Sequence, residues 1–292
     1  MRYRLTFGEK VFDALNYIVL LIACAAVMLP FLYIIASSLS SPEALIRGEV
    51  TFWPKGLNVT NYQVVMENKV FWRSFGITLF IVVVGTVVNM FMTVVTAYPL
   101  AKQGLKGKNI ILLLIVFTMI FQAPMIPTYL IVKNLHLLNT VWALIIPGAI
   151  SAFNMFICLT FFRSLPEELF EAARVDGMKE FSILWRIAVP LSTPIMVTLI
   201  LFYAVSHWNN YFSALLYIND FKQRPLQLYL YNLIAQFNMN EEMASLVESN
   251  VVLSPQGLQM ATILVATVPI LLIYPFIQRH FIKGALIGSI KE

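Results

Sequence analysis

The sequence predicts an all-α protein that crosses a membrane six times. Three observations carry that prediction. The 292 residues are 59% hydrophobic and only 12% charged, whereas a soluble domain carries about 25% charged residues. The chain has six charge-free stretches, 14–42, 74–101, 109–132, 134–162, 187–219 and 249–278, and about 20 apolar residues suffice for one spanning helix. Between the fourth and fifth stretches lies a polar island, Ser164 to Pro190, with five acidic and three basic residues. Such an island cannot sit in lipid and must lie at the membrane surface.

Spans are expected at 14–36, 75–99, 110–132, 141–162, 190–211 and 259–279, within a single transmembrane domain covering 1–292. Six spans put both ends of the chain on one side. That side receives Arg2, Arg4, Lys10, Lys102, Lys106, Lys108, Arg163, Arg174, Lys179, Arg186, Arg279, Lys283 and Lys291. The other receives Arg47, Lys55, Lys69, Arg73, Lys133, Lys222 and Arg224. Lys and Arg accumulate on the cytoplasmic side of membrane proteins, so the island and both termini are expected in the cytoplasm. The net charge of +5 comes from these span ends. No basic patch interleaved with aromatics points to nucleic acid.

The first span contains Leu21-Ile22-Ala23-Cys24, which resembles a lipoprotein processing site. The apolar run continues through Ala36, which argues against processing there and against a cleaved signal peptide. Cys24 and Cys158 both read as small buried hydrophobes. Residues 40–73 follow, with Trp53-Pro54-Lys55-Gly56 and Asn61-Tyr62, and read as a folded polar segment. Asn58-Val59-Thr60 fits a glycosylation sequon, a frequent chance match. After the fifth span, residues 212–258 form the longest outer loop. Leu226, Leu230, Leu233, Ile234 and Phe237 share a helical face there, which predicts a helix lying at the surface. Glu241, Glu242 and Glu248 follow it.

The island has internal structure. Ser164 and Glu167 are spaced as a capping box, with Pro166 in the first turn. Leu165, Leu169, Ala172 and Ala173 fall on one side at helical spacing. Gly177 stops the helix, since glycine accepts the left-handed conformation beyond a helix end. A second short helix, about Lys179 to Arg186, leads to Pro190. Together they predict a two-helix elbow with small residues, Ala172 and Ala173, where another backbone can come close.

Glu171-Ala172-Ala173, three residues, Gly177, nine residues, then Ile187-Ala188-Val189-Pro190 resembles the E-A-A-x3-G-x9-I-x-L-P signature of ABC importer membrane subunits, with Val189 in place of Leu. A bare Glu-Ala-Ala would fit any amphipathic loop; the full spacing between two spans is far more specific. Phe71-Trp72-Arg73-Ser74, Asn139 to Leu144, Ile146-Pro147-Gly148, Phe161 to Pro166 and Trp208-Asn209 resemble carbohydrate importer permeases, including the smaller membrane subunit of the maltose importer and oligosaccharide or lipo-oligosaccharide permeases. The resemblance implies a type I ABC importer transmembrane domain in a bacterial cell membrane. It implies that the elbow, 164–189, docks on a separate ATPase, with Glu171, Ala172, Ala173, Asp176 and Gly177 as coupling residues. The implied partners are a second homologous permease, two ATP-binding subunits that hold ATP and magnesium, and an external sugar-binding protein.

The chemistry in this chain is sparse. No G-x-x-x-x-G-K-[ST] phosphate loop occurs, and Gly104-Leu105-Lys106-Gly107-Lys108 has the wrong spacing. No cofactor is expected in this chain. His136, His207 and His280 are too far apart in sequence to suggest a metal, and no nucleophile–base pair stands out, so an enzyme is not expected. Apart from Arg279, the last residue of the sixth, the six spans hold no Asp, Glu, Lys or Arg. Ion-coupled carriers place such residues in their spans, which counts against a secondary carrier, while a channel leaves the elbow unexplained. A permease for a peptide or polyamine is the closer alternative. Neutral polar and aromatic residues would line the pathway of a sugar: Asn154, Tyr203, His207, Trp208 and Asn209 foremost, with Asn89, Gln122 and Asn210. The same residue types also tie spanning helices together and anchor them at the interface.

Overall fold

The computed structural model describes residues 6–121, 123–239 and 254–289, and within them the side chains up to 235 and from 254 to 272. The described residues form helices, turns and loops, with no strand among them. The chain forms two compact units, residues 1–69 with 232–268, and residues 70–231 with 269–292.

In the first unit, α1 (Phe7–Ser38) opens with a capping box in which the Thr6 hydroxyl accepts from the Glu9 amide and the Glu9 carboxylate accepts from the Thr6 amide. Its large apolar side chains stay exposed within this chain, and only Ala36, Ser37 and Ser38 are buried. Cys24 is exposed as well, which corrects its reading as buried: no described residue packs over that stretch of α1. Beyond α1, the polar segment is folded as expected. α2 (Pro42–Ile46) and α3 (Thr60–Glu67) are held by a serine cluster. The Ser40 hydroxyl donates to the Ala36 carbonyl at 2.7 Å and accepts from the Lys55 amide at 3.1 Å. Ser38 meets the Tyr62 hydroxyl at 2.7 Å, and the Asn61 amide donates to the Ser38 carbonyl at 3.3 Å. α14 (Pro255–Ser289) begins against this cluster. A Cβ on Gly257 would stand 2.7 Å from Asn61, so that approach requires glycine.

The second unit holds α4 (Lys69–Ala101), α5 (Lys108–Ile120), α6 (Met125–Asn134), α7 (Ala152–Arg163), α8 (Glu167–Val175), α9 (Glu180–Ile183), a π-helical turn over Leu184–Ala188, α10 (Val189–Leu191), α11 (Thr193–Asn209) and α12 (Phe212–Tyr217). α13 (Leu226–Met239) follows. One cluster packs α4, α7, α8 and α11 through Val94, Leu159, Phe162, Phe170, Ile183 and Leu199. A second joins Ile81 of α4 to Val132, Ile145, Tyr217 and Leu228.

Among the described residues, α1, α4 and the Pro255–Leu272 stretch of α14 are long and apolar enough to cross a membrane alone; α5 with α6, and α9–α10 with α11, reach that length as bent pairs. The expected fourth span, 141–162, is corrected. Val141–Leu144 is a 3-10 turn, the chain turns through 145–151, and the helix proper begins at Ala152. Pro147-Gly148 is the physical cause: proline removes an amide donor and glycine weakens the helix. The expected third span breaks before Pro124, because the residue ahead of proline is pushed out of the helical region. Gln122 lies outside the described residues. The helix predicted from Leu226 onward is present as α13. Leu226 and Leu230 are buried, but so is Leu228, while Ile234 is 37% exposed. Phe237, Glu241, Glu242 and Glu248 lie outside the described side chains.

Candidate functional site

The elbow between α7 and α11 is built from the sequence upward. Ser164 does not cap it. Its hydroxyl donates to the Phe161 carbonyl at 2.8 Å and closes α7, while α8 starts at Glu167 after Pro166, with no side-chain cap. The proline sets the entry, so the expected capping box is replaced by a proline start. The buried face also differs from expectation. Phe170 and Ala173 are buried and Leu165 packs beside them, whereas Leu169 and Ala172 are exposed. Phe170 decides this: its ring and that of Phe162 lie 6.3 and 6.0 Å from the Tyr98 ring of α4. Burying one such side chain is worth roughly 1.5–3 kcal/mol, more than two alanines supply.

Gly177 ends α8 with φ +77°. The Met178 amide donates to the Ala173 carbonyl at 3.0 Å and the Gly177 amide to the Arg174 carbonyl at 3.0 Å, the paired bonds of a left-handed helix stop. The turn aims α9 back beneath α8. There Glu180 gathers three donors: the Tyr98 hydroxyl at 3.1 Å, the Lys102 ammonium and the Arg174 guanidinium at 3.3 Å. Arg174 also reaches Glu167 at 3.4 Å. Lys102 sits over the Tyr98 ring, 4.4 Å from its centre. Burial lowers the pKa of the Lys102 ammonium from the ordinary lysine value, Arg174 lowers it further, and Glu167 partly opposes them. These ion pairs are half-exposed, worth about 0–1 kcal/mol each. Burial of Phe170 therefore places α8, and the charges fix its register on α4.

The opposite face of α8 faces outward. Glu168, Glu171, Ala172 and Asp176 are exposed, Leu169 is 43% exposed and Val175 87%. An apolar strip rimmed by carboxylates is thus left uncovered in this chain. The elbow then runs through the π-helical turn, where Arg186, Ile187 and Ala188 lie, and meets α11 at a bend of 87°. π turns recur at functional positions.

The other predicted residues lie in a polar belt within the spans. Asn89 of α4 is fully buried. Its amide donates to the Gly148 carbonyl at 2.5 Å, and its oxygen accepts from His207 Nε2 of α11 at 2.6 Å. Tyr203 is buried; its hydroxyl meets Thr93 at 2.7 Å and accepts from the Ser151 amide at 3.3 Å. Asn154 is buried, and its backbone amide donates to the Ser151 hydroxyl at 3.4 Å. Trp208 is buried edge-on against Phe75, 6.1 Å between rings, while Asn209 is exposed. The belt brings Asn89 to His207, and Tyr203 to Thr93; Trp208 and Asn209 stand apart from those bonds. Gly85 escaped the sequence reading, although a Cβ there would lie 2.5 Å from His207. Small residues where spanning helices meet are the available signal. Glu180, Lys102 and Tyr98 escaped as well, because nothing in sequence brings positions 80 residues apart together.

These features define a helical, multi-spanning membrane protein that presents one amphipathic elbow outside its spans. The chain belongs to the family of binding-protein-dependent transport system inner membrane components, whose model matches residues 103–286. It is 47% identical to Protein LplC of Bacillus subtilis over 98% of this chain and 97% of that protein. It is 40% identical to the polygalacturonan/rhamnogalacturonan transport system permease protein YtcP of the same organism, over 97% and 99% of the two chains. A crystal structure of a bacterial ABC transporter involved in the import of the acidic polysaccharide alginate contains a chain 33% identical, with a TM-score of 0.90 over 96% of this chain and 99% of that one.

Proposed function

We propose that this permease subunit serves an ATP-driven, binding-protein-dependent importer of oligosaccharides. It forms half of the pathway with a second homologous permease, and it takes its energy from two ATP-binding subunits that hold ATP and magnesium. An external sugar-binding protein delivers the cargo. The saccharide names of YtcP and of the alginate transporter favour a sugar over a peptide or polyamine. The excess of Lys and Arg on one side of the spans supports a cytoplasmic location for the elbow and both termini.

The observation that carries the coupling role is the uncovered face of α8. Leu169, Ala172 and Val175 offer an apolar strip, Glu168, Glu171 and Asp176 rim it, and the Gly177 turn fixes its direction. ATP-driven closure of the partner subunits would pull on this face. The shared burial of Phe170, Phe162 and Tyr98 would pass the movement to α4 and α7.

Ala172→Trp tests this directly, because Ala172 is exposed and the ring disturbs no packing inside the chain. Gly177→Leu re-aims the elbow at a cost of about 1–2 kcal/mol, since Leu resists the left-handed conformation. Both variants should assemble and yet lose saccharide uptake per ATP hydrolysed. Normal uptake in both would end the coupling reading. Impermeant labelling of a cysteine at position 179 from outside intact cells would overturn the orientation.

A further inference from the structure

The inner face of the elbow encloses a cavity of about 280 Å³ against the end of α4, the 102–108 loop and the end of α7. Lys102, Lys108, Arg163 and Arg174 line it, opposed by the single carboxylate of Glu167. Glu167 is engaged by Arg174 at 3.4 Å, and Glu180, which does not line the cavity, is engaged by Lys102 and Arg174. That leaves two cations in the walls without a carboxylate among the described residues. The Lys108 ammonium donates to the Lys102 carbonyl at 2.7 Å, and Arg163 is exposed at the last turn of α7. Phe170, Arg174 and Glu167 point to the cavity from one side of α8, whereas Ala172 and Val175 occupy the other. An occupant would therefore not compete with a protein docked on the outer face.

We propose that this cavity binds a phosphate-bearing anion. Three elements converge on it, each with at least one cation, so a group with three acceptor oxygens can meet them together. Guanidinium and ammonium groups form their strongest hydrogen bonds to such groups. The two unmatched charges equal the charge of a phosphate monoester near neutral pH. The partly buried Lys102 ammonium gains further from a nearby anion. Basic pockets between spanning helices at the cytoplasmic side hold phospholipid headgroups, and a soluble phosphate compound offers the same chemistry. The bound anion ties α7, α8 and the 102–108 loop together and braces the elbow. The inference rests on the permease reading only for the leaflet that would supply a lipid.

The test uses the purified permease with its co-purifying subunits. In one arm, native mass spectrometry follows retention of phosphatidic acid, a lipid phosphate monoester, against phosphatidylcholine, a phosphodiester. In the other, phosphorus NMR follows binding of pyrophosphate in lipid-free detergent. The variants are Arg163→Gln with Lys108→Gln, Lys108→Gln alone in case the pair fails to fold, and Lys106→Gln, a neighbouring exposed lysine that does not line the cavity. Retention of phosphatidic acid should fall about tenfold or more in the cavity variants, as expected for losing a charge-assisted hydrogen bond, and change little in Lys106→Gln. The same pattern with pyrophosphate alone supports the site and assigns a soluble source. The proposal is overturned if neither probe binds, if the cavity variants bind normally, or if Lys106→Gln loses as much as they do. Binding is read without transport, so failure of this site leaves the oligosaccharide reading standing.

Discussion

α1 and α4 are nearly the same object by length and composition, helices of 32 and 33 mostly apolar residues that can each cross a membrane. They differ in what they touch. α1 buries only its last three residues within this chain, whereas α4 buries Ser74, Thr78, Ile81, Gly85, Asn89, Thr93 and Ala97 along one stripe. The stripe recurs every three or four residues, and most of it is small or polar. In lipid, apolar side chains gain little by leaving the tails for one another, so contact falls to small residues and hydrogen bonds. Bulk hydropathy marks both helices as spans; the stripe separates the one that packs along its length from the one that the described residues leave exposed.

The largest expected contrast comes from adding the same side chain to each. Gly85→Leu places atoms where a Cβ alone would be 2.5 Å from His207, and should cost about 1–3 kcal/mol or more through overpacking. Ala25→Leu on the exposed face of α1 should leave the chain's own fold intact. Thermal unfolding of the purified protein in detergent measures both, and equal losses would erase the distinction.

A smaller effect is expected from Asn89→Leu, which removes the partners of the Gly148 carbonyl and of His207. One bond to a loop carbonyl and one between helices in a membrane protein are together worth roughly 1–2 kcal/mol. The same unfolding assay should show a loss of that size, and a neutral result would mean that Gly85 and the apolar contacts hold α4 to α11 without the amide.

The smallest is Tyr203→Phe, about 1 kcal/mol for one hydroxyl shared by Thr93 and Ser151. This variant also separates two roles for the belt. A helix tie predicts a stability loss with near-normal uptake at low temperature. A pathway role predicts lost uptake with unchanged unfolding.

The sequence by itself determined that the chain is helical and embedded in a membrane, and where its polar elbow begins and ends. Charge and hydropathy act locally: a polar island cannot enter lipid, and Gly177 must adopt the left-handed turn it adopts at +77°. The E-A-A spacing was legible for the same reason, since it lies within one short segment. Tertiary structure decided which side of each helix matters. Ala172 and Ala173 are neighbours of equal size, yet one is exposed and the other buried, because Phe170 finds the rings of Tyr98 and Phe162. Asn89 and His207 looked like separate polar residues until α4 and α11 met at Gly85. Glu180 became the meeting point for Tyr98, Lys102 and Arg174 only when the elbow folded back on α4. Contacts between distant positions depend on how helices stack, and no local pattern of residues encodes that.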